Sequence, residues 1–129
     1  MNPTTIPLQR LRQQRLIHSP LTAPQAVVSW LTAVQAQDYA GAKWAIAQRL
    51  AEGTEAAIEE AYNRGEILRT HLLRPTWHFV TPADIRWLLM LTAPRVHALN
   101  APYYRQVELD TETLVRSHGV ITNALQGGK

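Results

Sequence analysis

The apolar residues of this chain change their period only once, and that limits the folds open to it. From Leu8 to Tyr62, and again from Ile85 to Leu125, apolar side chains recur at three- and four-residue intervals. Between those stretches, Glu66 to Thr81 carries β-favouring and aromatic residues around Arg74-Pro75. One strand-rich interruption among helices predicts a mainly α fold with a small β-ribbon. Three or four helices, a ribbon and then more helix is the order of a winged helix-turn-helix unit with appended helices.

The helical stretches can be placed from their punctuation. Leu8, Leu11 and Leu16 mark a first helix with Arg10, Arg12 and Arg15 turned outward, and Ser19-Pro20 ends it. Thr22-Ala23-Pro24-Gln25 starts a second, whose stripe is Val27, Val28, Leu31 and Val34. A third runs over Lys43 to Leu50 through Trp44, Ile46 or Ala47, and Leu50, with Gly53 as its stop. Thr54 opens a fourth that carries Glu55, Glu59 and Glu60 and buries Ala57, Ile58, Ala61 and Tyr62. After the ribbon, Thr81-Pro82-Ala83-Asp84 starts a helix that is apolar nearly all round from Ile85 to Leu99. It is therefore expected to be the most buried, bent or broken at Pro94 and closed by Asn100-Ala101-Pro102. Asp110 opens the last helix, with Leu114, Val115, Ile121 and Leu125 as its apolar positions.

For the ribbon, strands over Ile67–Leu73 and Thr76–Val80 with Arg74 and Pro75 as the central pair set Leu72 opposite Trp77, His71 opposite His78 and Thr70 opposite Phe79. Leu68, Leu72, Trp77 and Phe79 then share the core side, and Arg69, His71 and His78 the other. Proline is disfavoured as the second central residue of a type I turn, which leaves room for a longer loop.

With 129 residues, 46% of them hydrophobic, the chain can bury one core. One unit over residues 1–129 is expected, with helices and ribbon over about 8–81 and a helical extension over about 82–126. Cysteine is absent, which removes disulfides and Cys-based zinc sites and makes a cytoplasmic location the economical reading. Met1 to Pro7 lacks the order of a signal peptide, and no apolar run approaches a membrane span. The net charge is only +3, yet the cations are mostly arginine, whose planar fork suits phosphate. His71 and His78 without Cys or a nearby carboxylate fall short of a zinc set, so neither a metal nor another cofactor is expected.

Two blocks carry a more specific signal. Ala33-Val34-Gln35-Ala36-Gln37-Asp38-Tyr39, continued by Lys43-Trp44-Ala45-Ile46-Ala47-Gln48-Arg49-Leu50, and the run Leu68 to Val80 resemble the AlkZ/YcaQ-type winged-helix DNA glycosylases of bacteria. The resemblance extends from Leu8 to about Leu125 and implies tandem winged-helix units acting on alkylated or crosslinked purine nucleotides in duplex DNA. It implies Gln35 and Gln37 as catalytic residues, and a ribbon whose Arg69, His71, Arg74 and His78 face the DNA. Related proteins carry Asp at the second glutamine position; this chain has Gln37. Because such proteins run on through several units, the chain is expected to be the N-terminal fragment of a longer one, inactive or slow by itself.

The spacing of the two glutamines makes a structural demand. Residues two apart point away from each other on a helix and share a face on an extended segment. For both amides to meet one water, the second helix must end near Val34. A carboxamide is a poor general base, so such a pair acts by orienting water and stabilising an oxocarbenium-like sugar, while the cationic purine leaves readily. Two other readings stand beside this one. Gln35 and Gln37 can cap a helix and satisfy backbone groups in a non-catalytic DNA-binding or protein-interaction module, or the chain can self-associate through a surface that further domains would cover.

Overall fold

The computed structural model describes residues 5–73 and 76–126. Their order is α1 (Thr5–Gln13), α2 (Pro24–Leu31), β1 (Val34–Gln35), α3 (Tyr39–Ala47), α4 (Glu55–Asn63), β2 (Leu68–Leu72), β3 (Thr76–Val80), α5 (Ile85–Gln106) and α6 (Thr111–Leu125). The three strands form one sheet in the order β1-β3-β2, antiparallel throughout. Helix, strand, two helices and two strands, as in α2 to β3, is the winged-helix order, and the fold is mainly α with a small sheet. The chain divides into two compact units, 1–93 and 94–129.

Local chemistry explains the helix ends in the first unit. Pro24 occupies the first turn of α2, where its missing N–H is no loss. The Thr54 hydroxyl accepts from the Ala57 N–H and starts α4, and Gly65, at φ 72°, ends it in the left-handed conformation that glycine adopts without strain. Val27 and Val28 of α2, Ala42 and Ile46 of α3, and Ile58 and Ala61 of α4 meet on Ile67 and Phe79 of the ribbon segment. On the opposite face of the sheet, Leu72 and Val80 pack with Leu88 of α5.

The expected ribbon register is overturned. His71 lies opposite Trp77, Thr70 opposite His78, Arg69 opposite Phe79 and Leu72 opposite Thr76. Three residues, 73–75, separate the paired strands instead of two, in line with the poor fit of proline to a two-residue turn, and Leu73 takes a φ of 62°. Arg74 and Pro75 themselves lie outside the described residues. Since cross-strand partners share a face, Arg69, His71, Trp77 and Phe79 fall on one side and Leu68, Thr70, Leu72, His78 and Val80 on the other. The single apolar side expected for Leu68, Leu72, Trp77 and Phe79 is therefore replaced by buried residues on both faces, Phe79 on one and Leu72 and Val80 on the other, and His78 is buried rather than displayed with Arg69 and His71.

Two further expectations fail on burial. Trp44 is 66% exposed and does not belong to the core stripe of α3. Of α5, only Leu88 is buried, and the helix runs unbroken through Pro94 and Pro102. Each proline deprives the carbonyl four residues earlier of its helical donor, here Met90 and Ala98, and both residues are exposed, so water can serve those oxygens. In the second unit, Asp110 caps α6 by accepting from the Thr113 N–H at 2.8 Å, and Leu114, Val115, Ile121 and Leu125 are all exposed. No helix among the described residues is long and apolar enough to cross a membrane.

Candidate active site

The Gln35-Ala36-Gln37 segment begins where α2 is forced to stop. Thr32 sits at φ 67°, a left-handed value that costs a β-branched residue on the order of 1–3 kcal/mol, and it turns the chain out of the helix. Val34 and Gln35 then run extended along β3, opposite Phe79 and His78. Ala36 is fully buried while Gln35 and Gln37 on either side are exposed, as the alternation of an extended chain requires.

The ladder changes partners at Ala36. Its N–H donates to the Trp77 carbonyl at 2.7 Å. In an antiparallel pair the return bond would run from the Trp77 N–H to the Ala36 carbonyl. Instead the Trp77 N–H donates to Oε1 of Gln37 at 3.2 Å, and the Ala36 carbonyl accepts from both Nε and Nη2 of Arg69, at 3.2 and 3.0 Å. One neutral backbone bond, worth about 0.5–1.5 kcal/mol, is thus exchanged for a charged one of about 1.5–3 kcal/mol plus the glutamine contact.

Aromatic rings hold the arginine in place. The Arg69 guanidinium lies 4.5 Å from the centre of the Trp77 ring and 5.3 Å from that of Tyr39, and the His71 ring stacks on Trp77 at 3.9 Å. Tyr39 donates its hydroxyl proton to the Glu59 carboxylate at 3.1 Å, and Lys43 bridges Glu55 at 2.7 Å and Glu59 at 2.8 Å. The Lys43 ammonium, followed by the Tyr39 hydroxyl, holds the Glu59 carboxyl below its usual range. The two glutamates raise Lys43, and burial, with help from Glu59, raises the Tyr39 phenol.

Between β1 and α3 lies an open depression of about 370 Å³, lined by Gln35, Gln37, Asp38, Gly41, Ala42 and Ala45. Asp38 has a defined part in its wall: it is the N-cap of α3 and accepts from the Gly41 N–H at 3.1 Å. A Cβ on Gly41 would come within 2.5 Å of Asp38 Oδ2, so glycine is what lets the cap close. Asp38→Asn is expected to leave stability within a few tenths of a kcal/mol, whereas Asp38→Ala should cost about 1 kcal/mol. Thermal unfolding of the two variants checks this, and an equal loss in both would deny the cap its role.

The predicted residues are thus only partly brought together. Gln35 and Gln37 share the depression, with Arg69 bonded to the residue between them. His71 is exposed beside Trp77. His78, 7% exposed, is joined through Nδ1 to the Thr76 carbonyl at 2.9 Å. Arg74 lies outside the described residues. Sequence reasoning missed Tyr39, Lys43 and Glu59, whose association depends on two helices meeting and leaves no local pattern. Among the described residues, no three His, Cys, Asp or Glu side chains gather as a metal site.

The family model for AlkZ-like DNA glycosylases matches residues 28–129, from the middle of α2 through the whole depression and beyond. The chain belongs to the AlkZ-like DNA glycosylase family. The DNA glycosylase AlkZ of Streptomyces sahachiroi is similar in fold, with a TM-score of 0.80 over 92% of this chain at 22% identity. This AlkZ-like chain spans 32% of the length of that protein. No curated protein matches it.

Proposed function

We propose that this chain supplies the water-orienting part of a DNA glycosylase that hydrolyses the N-glycosidic bond of alkylated or crosslinked purine nucleotides, with Gln35 and Gln37 as the catalytic pair. The observation that carries the reading is the exposure of both glutamines on one open depression, two residues apart on a non-helical segment whose middle residue is buried and anchored. Family membership gives the reaction class its direction.

In this reading the amides hold a water against C1′ of the sugar. As the bond from C1′ to the purine breaks, its electron pair neutralises the alkylated base, and the amide oxygens stabilise the positive charge left on the sugar. Attack by the water closes the reaction, and its proton passes to solvent. Neither glutamine has to act as a strong base. The Trp77 N–H occupies one lone pair of Gln37 Oε1 and fixes the carboxamide, which keeps a second lone pair and its amine protons for water or substrate.

The side of approach follows from charge. In a winged helix the second helix of the helix-turn-helix commonly enters the major groove. Here that helix is α4, with Glu55, Glu59 and Glu60, which phosphates repel. Several cations also serve the fold: Lys43 and Arg64 pair with glutamates, Arg49 holds the Gln14 and Ala45 carbonyls, and Arg15 lies 3.8 Å from the centre of the Trp30 ring. DNA is therefore expected at the face bearing β1, and to bind weakly.

A second reading has one observation in its favour. Satisfying the Trp77 N–H is also what a structural Gln37 would do, as in a binding module without chemistry. The two separate on release of 7-methylguanine from methylated duplex DNA under single-turnover conditions. The longest protein encoded by this reading frame should release it well above the spontaneous rate, and release at the spontaneous rate would leave the binding module. The 129-residue chain alone should bind undamaged duplex with a Kd on the order of 10⁻⁴ to 10⁻⁶ M, weakening steeply with salt, as titrations at several ionic strengths would show.

A further inference from the structure

We infer that Arg69 is a positioning residue for the Gln35-Ala36-Gln37 segment: it takes the Ala36 carbonyl, keeps the ladder between β1 and β3 from closing at Trp77, and so reserves the Trp77 N–H for the Gln37 carboxamide. The geometry supports each step. Arg69 stands on β2, an outer strand, and β1 is the other outer strand, so its side chain reaches across β3 to the Ala36 oxygen. That reach covers two strand spacings, each roughly 4.8 Å, which suits the longest cationic side chain. Two donors converge on one carbonyl, leaving it a poor acceptor for a third. Trp77 and Tyr39 flank the guanidinium, and Tyr39 is itself fixed by Glu59, so the arginine is held from both sides.

Without the guanidinium, the Ala36 carbonyl lies beside the N–H that an antiparallel pair would give it. The strand closes by one more bond, and the Gln37 carboxamide is released into solvent rotamers. Arg69 thus acts on the site through Gln37 and not by touching substrate. Lysine offers a single point charge without the fork, and Arg69→Lys should restore only part of the arrangement.

Amide hydrogen exchange at Trp77 tests this independently of activity. In Gln37→Ala the Trp77 amide should exchange about tenfold faster than in the wild type, because its acceptor is gone while Arg69 still occupies Ala36. In Arg69→Met/Gln37→Ala protection should return to near the wild-type rate, because the Ala36 carbonyl is now available. The Phe79 and Val28 amides, read in the same samples, report whether the fold survives, and Arg69→Leu/Gln37→Ala, which likewise has no donor for the Ala36 carbonyl, substitutes if the methionine form unfolds. An unchanged Trp77 rate in Gln37→Ala, or a double variant that stays fast while Phe79 remains protected, would overturn the inference. The effect on catalysis rests on the function proposed above: Arg69→Met should lower the single-turnover rate of base release while leaving the Kd for DNA unchanged. If the exchange pattern holds but Gln37→Ala releases base like the wild type, the proposed function fails and the positioning stands; the reverse pattern fails the positioning alone.

Discussion

Phe79→Ala is expected to cost the first unit about 3–5 kcal/mol, a large part of the roughly 5–15 kcal/mol that holds a domain of this kind together. Phe79 is fully buried in β3, with Tyr39 and Tyr62 ring centres at 5.7 and 6.0 Å, and it belongs to the same cluster as the core residues of α2, α3 and α4. Removing the ring opens a cavity where three helices meet the sheet, and none of them can follow it without leaving the others. Trp44→Ala, although it deletes a larger side chain, should change stability by no more than about 0.5 kcal/mol, because that ring is 66% exposed. Urea unfolding of both variants gives the comparison. A small loss in Phe79→Ala together with a large one in Trp44→Ala would mean that the sheet does not lie against α2 to α4.

Part of this fold is legible in the sequence. The break in apolar period locates the ribbon, and the caps at Thr54 and Asp110 are visible because a capping side chain and its N–H are three residues apart. The extended course of Gln35-Ala36-Gln37 can be required in advance, since two amides two residues apart converge on no other backbone. In the structure the helix stops at Leu31, earlier than the apolar stripe suggests, the strand covers Val34–Gln35, and Gln37 stands in the bend that follows, with both glutamines on one depression. Strand β1, at two residues, is too short to show a period, and its place beside β3 cannot be read.

What fails does so where distant parts of the chain decide. A register is fixed by one connection, and a third residue there moves His78 to the opposite face from Arg69. An all-round apolar helix such as α5 reads as buried, yet exposure depends on what packs around it, and Met90 is 78% exposed. Nor does any local pattern show what holds Arg69, a residue that the resemblance sets facing the DNA. Its hydrogen-bond partner is 33 residues earlier in the chain, on a strand the sequence does not reveal.

The larger expected effect on function belongs to the glutamines, and it tests the catalytic role of the pair most directly. In the longest protein of this reading frame, Gln37→Ala should lower the first-order rate of 7-methylguanine release by on the order of 10²-fold, the scale on which one preorganised polar group acts on a developing charge. Gln35→Ala should do about the same. The double variant should lose little more than either single one, because two amides that hold one water act as a unit. Gln35→Ala should leave the unfolding midpoint close to that of the wild type, because the side chain is exposed, and Gln37→Ala should lower stability by no more than the one hydrogen bond it gives up at the Trp77 N–H, about 0.5–1.5 kcal/mol. The deciding measurement is therefore single-turnover release by wild type, Gln35→Ala, Gln37→Ala and the double variant on the same methylated duplex. A large, non-additive loss of rate, with no more destabilisation than the one hydrogen bond at Trp77 explains, is the expected result; release by Gln37→Ala at the wild-type rate would contradict the catalytic role of the pair.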